Sequence, residues 1–366
     1  MNRPTRTLAR GRSACLAAFL SLALAAAAQA ESLSADVVVY GGTAGGAIAA
    51  VAAAREGKTV LLVEPGHHIG GMVSGGLGAT DFGNRGAIGG YSREFFDRVR
   101  EHYIKQYGAD SKQVKDCSDG FHFEPHVAET TFRRMLDEAR VRVVLDRPLK
   151  SIKNEGTRIQ SIRAGDDEIA GTVFIDASYE GDLLAQAKVS YTVGREARSQ
   201  YNESLAGVQA HSPAHQWPVK VSPYDADRKL LPCVQPGPGG EAGAGDRKVQ
   251  AYNYRLCMTK VPENRVPFPK PKHYDPKRYE LLARYLEAKP GLTVGQLMNP
   301  VLMPNGKTDT NNNGAFSTDH IGANWDYPDG DATTRARIVQ DHIDYVQGFL
   351  YFLANDPRVP AELHEE

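Results

Sequence analysis

Cysteine is scarce in this chain. There are four in 366 residues, and Cys15 falls in the N-terminal leader described below. The other three, Cys117, Cys233 and Cys257, are too few and too far apart for the four thiolates of a [4Fe–4S] cluster. They leave room for one disulfide in an oxidising compartment, with the pairing open and one thiol left over. An excess of one charge is also missing. The 43 Lys and Arg stand against 44 Asp and Glu, which excludes the basic surplus that holds nucleic acid. Beyond the first thirty residues no apolar run is long enough to span a membrane. No serine sits in a nucleophile-elbow context, which argues against a hydrolase, and there is no internal repeat. His122 and His126 have His-x-x-x-His spacing and His67-His68 are adjacent, but Pro125 interrupts the first pair. Neither pair has a carboxylate set beside it, so no metal site is expected.

The first thirty residues read as a secretory signal peptide. Arg3, Arg6, Arg10 and Arg12 form a basic start, Cys15 to Ala28 is uncharged and mostly apolar, and Ala28-Gln29-Ala30 has the small-x-small form of a cleavage site. The apolar run is shorter than the ~20 residues of a spanning helix. No twin arginine precedes it, which points to the general secretion route. Cleavage removes four Arg and no acid, leaving 39 basic against 44 acidic side chains, a net charge of −5. The expected product is a mildly acidic exported protein, periplasmic or extracellular.

Residues 36 to 64 carry the strongest signal. Val37 to Tyr40 is a short apolar run suited to a strand buried on both faces. Gly41, Thr43 and Gly46 occupy the three positions of a G-x-G-x-x-G turn, and an Ala-rich helix runs from Ala44 to Arg55. A second strand ends at Glu64, eighteen residues after Gly46. Strand, glycine turn, helix, strand and acid in this order form a unit that grips a dinucleotide. Gly41 permits the turn, and Gly46 lets the helix lie close to the strand. The helix N-terminus, with Gly42, Thr43 and Ala44 around it, offers free N–H groups to a pyrophosphate. The side chain of Thr43 must turn away from those phosphates. The Glu64 carboxylate can accept both ribose hydroxyls of an adenosine and disfavours a 2′-phosphate.

Six glycines lie between Gly66 and Gly78, a density that suggests close backbone approach to a flat ligand or unusual dihedrals. Helices are predicted over 91–107 and from Pro125 onward, a strand over 141–145, and a hairpin-like pair about Asn154-Glu155-Gly156. Another apolar strand, Gly171 to Ile175, runs into the polar turn Asp176-Ala177-Ser178-Tyr179-Glu180-Gly181-Asp182. Open α/β sheets place ligands at such strand ends, although Asp176 and Asp182 suit helix capping equally. Beyond Arg195 the pattern changes. A Pro- and Gly-rich loop covers 234–246, a strand is predicted over 249–259, and helices over 276–288 and 334–353. Arg195-Glu196 reads as a surface ion pair or a site element. Asp319, His320 and Tyr327 lie in an Asn-rich loop that could face substrate.

Further motifs complete the pattern. They are Val-Val-Tyr-Gly-Gly-Thr at 38–43, Gly-Gly-Met-Val-Ser-Gly-Gly-Leu-Gly at 70–78, Phe-Glu-Pro-His-Val-Ala-Glu at 123–129, Phe-Ile-Asp-Ala-Ser-Tyr-Glu-Gly-Asp-Leu-Leu at 174–184, Gly-Arg-Glu at 194–196, Tyr-Asn-Tyr-Arg-Leu-Cys at 252–257, Asn-Asn-Asn-Gly-Ala-Phe-Ser-Thr-Asp at 311–319 and Asp-Pro-Arg-Val-Pro at 356–360. With these the chain resembles the secreted FAD-dependent oxidoreductases of the glutathione-reductase-like flavoprotein superfamily, which include proteins labelled xanthan-lyase-related. The resemblance covers essentially everything after the leader. It implies an α/β fold: a Rossmann-like FAD-binding sheet domain over 31–195, then a less regular α+β substrate or cap region over 196–366. It implies FAD, with the ADP half on the 41–64 unit, Gly70, Gly71 and Met72 along the pyrophosphate and flavin, and Asp176, Gly181 and Asp182 approaching the cofactor. Thr43 is usual in these relatives, whereas Ala44-Gly45 stands where Pro-Ala is common. Relatives continue past the Asp-Pro-Arg-Val-Pro segment, so the resemblance also implies a chain incomplete at its C-terminus, with its flavin ring poorly enclosed. The function expected is hydride transfer from a small organic substrate to the flavin, with no catalytic acid or base assigned. Two rival readings stand beside it: a non-catalytic remnant that binds a flavin or nucleotide, and an NAD-dependent dehydrogenase built on the same unit.

Overall fold

The computed structural model describes residues 32–209 and 215–366; the leader, with its cleavage site, lies outside them. The chain opens with strand β1 (Ser32–Tyr40), helix α1 (Ala44–Arg55) and strand β2 (Val60–Val63). After the glycine-rich loop come α2 (Gly90–Tyr107), α3 (Lys112–Asp116) and α4 (Pro125–Glu138). Strands β3 (Arg142–Val144), β4 (Leu149–Glu155), β5 (Arg158–Ala164) and β6 (Asp167–Asp176) follow. These strands form one sheet in the order β3-β2-β1-β6-β5-β4. β3, β2, β1 and β6 run parallel; β5 adds antiparallel to the first part of β6, and β4 antiparallel to β5.

Alternation along β1 explains why the sheet is covered twice. Val37 and Val39 point to a core built with Ala47, Ala50 and Val51 of α1 and with Phe95, Phe132 and Met135 of α2 and α4. Val38 and Tyr40 point to the opposite core, with Leu61, Val63, Ile162 and Ile169. Side chains alternate with period two, so a continuous apolar run buries both faces. The Tyr40 hydroxyl accepts from Leu149 N at 2.9 Å and ties the hairpin back over this second face.

Two short helices, α5 (Asp182–Gln186) and α6 (Arg198–Tyr201), lead into the second region. It contains β7 (Leu256–Thr259), α7 (Glu280–Ala288), β8 (Met298–Met303), β9 (Lys307–Asn312), α8 (Ala332–Asn355) and α9 (Ala361–Glu365). β7, β9 and β8 make an antiparallel three-stranded sheet in that order. α7 and α8 pack Leu282, Leu286, Tyr345, Phe349 and Phe352 into a separate core. Asp331 caps α8 by accepting from Thr334 N at 2.8 Å, as expected at a helix start. The strand expected over 249–259 is regular only at 256–259, and β8 and β9 were not expected.

Polar contacts join the two regions. The buried Asp309 of β9 accepts from Ala79 N at 3.0 Å and from Arg255 Nη1 at 2.7 Å. Glu124, buried at the start of α4, receives Lys307 Nζ at 2.6 Å. Arg195 pairs with Asp246, not with its neighbour Glu196. Cys117, Cys233 and Cys257 are all free thiols. No helix among the described residues is long and apolar enough to cross a membrane.

Candidate functional site

The glycine turn is set by contact distances. Gly41 has φ +102°, and a Cβ there would stand 2.7 Å from the Ala177 backbone. A Cβ at Gly46 would stand 1.9 Å from the Gly41 carbonyl oxygen. α1 therefore begins against the end of β1, and β6 brings the 176–182 turn against the same point. Thr43 caps α1: its Oγ1 accepts from Gly46 N at 3.1 Å and donates to Ala177 O at 2.9 Å. Its side chain thus faces the protein, as the phosphate argument required. The N–H groups of Ala44 and Gly45 have no acceptor among the described residues, and a Cβ at Gly45 would meet only Thr43 Oγ1 at 3.8 Å. Two free amides at the positive end of a twelve-residue helix, with open space before them, fit an anionic pyrophosphate.

Glu64 sits one residue past β2 and closes the loop from the side. Its Oε2 accepts from Gly42 N at 2.6 Å and its Oε1 from Gly66 N at 2.7 Å. Both oxygens keep a second lone pair, so the carboxylate is fixed in place and can still accept ribose hydroxyls.

The 66–78 loop owes its glycines mainly to the protein's own atoms. A Cβ at Gly70 would strike the Phe132 ring at 2.7 Å, and one at Gly78 the Phe123 carbonyl at 2.3 Å. Gly70 pairs with Thr43 and donates to Gly42 O at 2.7 Å. Gly71 lies under the Tyr179 hydroxyl, which accepts from Met72 N at 2.6 Å. The Met72 side chain is 56 % exposed.

The acids of the 176–182 turn brace it. Asp176 Oδ1 accepts from Ser178 N at 2.9 Å and Ser178 Oγ at 2.7 Å, and its Oδ2 from Leu184 N at 2.8 Å, capping α5. Gly181 enters α5 in the left-handed conformation. Asp182 Oδ1 receives Arg335 Nη1 at 2.7 Å. Both carboxylates are thus held by the protein. The residues that lock this turn to the glycine loop are Ala177 and Tyr179, which sequence reasoning did not single out, although both lie inside the motif it quoted.

The 319–327 loop differs from expectation. His320 does not face solvent: it is buried, stacked at 4.3 Å on Tyr345, with Nε2 2.8 Å from Asp341 Oδ2. Its Asp341 partner is held low, near 2, first by that hydrogen bond and then by Arg278. Asp319 hydrogen-bonds Asn312, and burial raises its carboxyl. Tyr327 alone of the three turns toward the 176–182 turn, where it meets Tyr252 at a ring distance of 5.7 Å. Glu180 belongs to the same 176–182 turn. Burial raises its carboxyl above the usual range, opposed by Arg335 and assisted by Asp182.

Several solved structures are similar to part of this chain. They include an L-proline dehydrogenase from P. horikoshii (17 % identity, TM-score 0.32, 45 % of this chain and 59 % of that one). An L-amino acid deaminase from Proteus vulgaris matches at 14 % identity and TM-score 0.32, over 45 % and 52 % of the two chains. A bacillithiol disulfide reductase from Staphylococcus aureus matches at 14 % and 0.28, over 49 % and 47 %. The chain thus spans about half the length of these proteins. No curated protein matches the chain. The profile of the FAD dependent oxidoreductase family matches residues 36–363, nearly all of the described chain, and the protein belongs to that family, with FAD as its cofactor.

Proposed function

We propose that the protein is a flavin-dependent oxidoreductase that takes a hydride from a small organic substrate, with residues 31–195 holding FAD and residues 196–366 shaping the substrate side. The observation that carries this reading is the pair of acceptor-free amides of Ala44 and Gly45, flanked by the clamped Glu64 carboxylate. In that placement the amides bind the pyrophosphate and Glu64 holds the adenosine ribose. The 70–72 segment and the 177–182 turn border the cofactor beyond the pyrophosphate. FAD when bound supplies the two-electron chemistry. The chain's own part is to fix the dinucleotide, exclude water with the apolar residues of the 66–78 loop, and present a substrate from the side of Tyr252 and Tyr327.

The test is the absorbance spectrum of the purified protein, before and after addition of sugars, amines and alcohols. A flavin band bleached by one of them supports the reading. A colourless protein that binds NAD instead overturns it. A charge-assisted hydrogen bond contributes ~1.5–3 kcal/mol, so Glu64→Ala is expected to weaken FAD binding roughly ten- to a hundredfold. Unchanged retention would remove Glu64 from the site. We propose further that the leader directs export with cleavage after Ala30; an intact mass beginning at any residue other than Glu31 would contradict it.

A further inference from the structure

We propose that the surface where the 176–182 turn meets the Tyr252–Tyr327 pair is the substrate site and that it takes an organic ammonium, a protonated amine. This rests on the placement of FAD given above, because the same turn touches the nucleotide loop through Ala177 and Tyr179.

Three observations lead there. The first is charge. Among the described residues Glu180 has no ion-pair partner, although it is half-buried. Arg335, the cation that holds the neighbouring Asp182, has its donors engaged elsewhere. Nη1 goes to Asp182 at 2.7 Å, Nε to Tyr327 O at 3.0 Å and Nη2 to Pro328 O at 2.7 Å. Glu180, Asp182 and Arg335 together carry one uncompensated negative charge. A half-buried carboxylate without a partner is costly, and a bound cation removes that cost.

The second observation is the aromatic wall. Tyr252 and Tyr327 stand edge to face at 5.7 Å. Tyr252 and Tyr254 are both more than a third exposed. The segments that carry Tyr252 and Tyr327 are held together by Asn324, which donates to Gln250 O at 2.6 Å and accepts through its carbonyl from Tyr327 N at 2.9 Å. Ring faces beside a carboxylate attract an ammonium by cation–π and Coulomb terms together. One such contact already exists: the Arg335 guanidinium lies 5.3 Å from the Tyr327 ring centroid.

The third is mutual influence. Arg335 joins Asp182 of the turn, at 2.7 Å, to Tyr327, through its carbonyl at 3.0 Å and its ring at 5.3 Å, and after burial the charge of Glu180 is the largest contribution raising the Tyr252 and Tyr327 hydroxyls. A neutral sugar or alcohol would leave that charge uncompensated; a carboxylic acid would be repelled by it.

The test is anaerobic isothermal titration of the full-length protein, with and without FAD, using n-butylammonium against the neutral n-butanol. The ammonium is expected to bind at least ~10-fold more tightly than the alcohol, as one charge-assisted contact implies. Glu180→Gln is expected to erase that preference in samples of matched FAD content. Tyr327→Leu is expected to lower ammonium affinity by ~5-fold, the scale of a partly exposed cation–π contact. Equal binding of amine and alcohol, or a preference that survives Glu180→Gln, would overturn the inference even if the protein is yellow. A protein that prefers the ammonium but retains no FAD would instead overturn the cofactor placement and leave this site standing.

Discussion

At the scale of single residues, one methyl group separates a working nucleotide turn from a broken one. Gly46→Ala would put a Cβ 1.9 Å from the Gly41 carbonyl, and both atoms belong to backbone that cannot rotate away. Overpacking usually costs ~1–3 kcal/mol, and a backbone clash belongs at the upper end, so this variant should lose about 3 kcal/mol in urea unfolding together with most of its flavin. Gly45→Ala is the contrast. Its Cβ meets nothing closer than 3.8 Å, and Ala is favoured over Gly inside a helix by roughly 0.5–1 kcal/mol, so its stability should equal or exceed the parent's. If the two variants behave alike, close packing is not what Gly46 provides. A second residue-scale expectation concerns acid. Glu94 is held near 2 first by the Arg55 guanidinium, at 2.6 and 2.8 Å, against an opposing effect of burial and with help from Arg98. Its folded pKa lies below the model value of 4.5, so its contribution is complete above that value and disappears as pH falls through about 2. Glu94→Gln should therefore lower the urea midpoint at neutral pH and flatten its fall below pH 4.5; parallel curves for the two proteins would refute the assignment.

At the scale of elements, the joint between α4 and β9 is the place to probe. Glu124 takes Lys307 at 2.6 Å, Asn305 Nδ2 at 2.8 Å and the Tyr103 hydroxyl at 3.2 Å. Removing one partner of a buried pair costs ~3–5 kcal/mol, whereas removing both is far milder. Lys307→Met should cost about 3 kcal/mol, at the lower end because the lysine is partly exposed. Adding Glu124→Gln to it should recover most of that loss, and additive losses in the double variant would show that the two side chains do not depend on each other. The elements also differ in how readily the sequence disclosed them. β1, α1 and β2 were legible because an apolar run, three turn positions and an Ala-rich helix are each local signals. α4 was legible from Pro125 and the spacing of Val127, Phe132, Met135 and Leu136. β8 and β9 were not: Pro300, Asn311 and Asn312 are poor strand formers, and these strands exist because β9 pairs with both β7 and β8. The same blindness to long-range contacts made His320 read as part of a loop that could face substrate. Only tertiary structure stacks it on Tyr345 of α8, and only tertiary structure brings the rings of Tyr252 and Tyr327 together.

At the scale of the molecule, two cores lie in the sheet region and one among α7, α8 and their neighbours, and the polar joints at Asp309 and Glu124 link the halves. A cofactor bound only by the folded state stabilises that state by mass action, ~2.7 kcal/mol at a hundredfold excess over its dissociation constant. Thermal unfolding followed at rising FAD concentrations should therefore shift upward without a plateau over that range. A midpoint indifferent to FAD would mean that the flavin is held as well by the unfolded chain, or not at all.

The brace between Thr43 and Ala177 joins residues 134 positions apart, and β1 is paired along its length with β6. This has a consequence for the order of assembly. During synthesis the nucleotide loop emerges early and then waits, because its carbonyl anchor and its neighbouring strand have not yet been made. Distant partners of this kind slow the search for the folded state. Flavin supplied during refolding should thus be captured last, its fluorescence changing after the backbone signal has recovered, and nascent chains that end before residue 184 should fail to retain it.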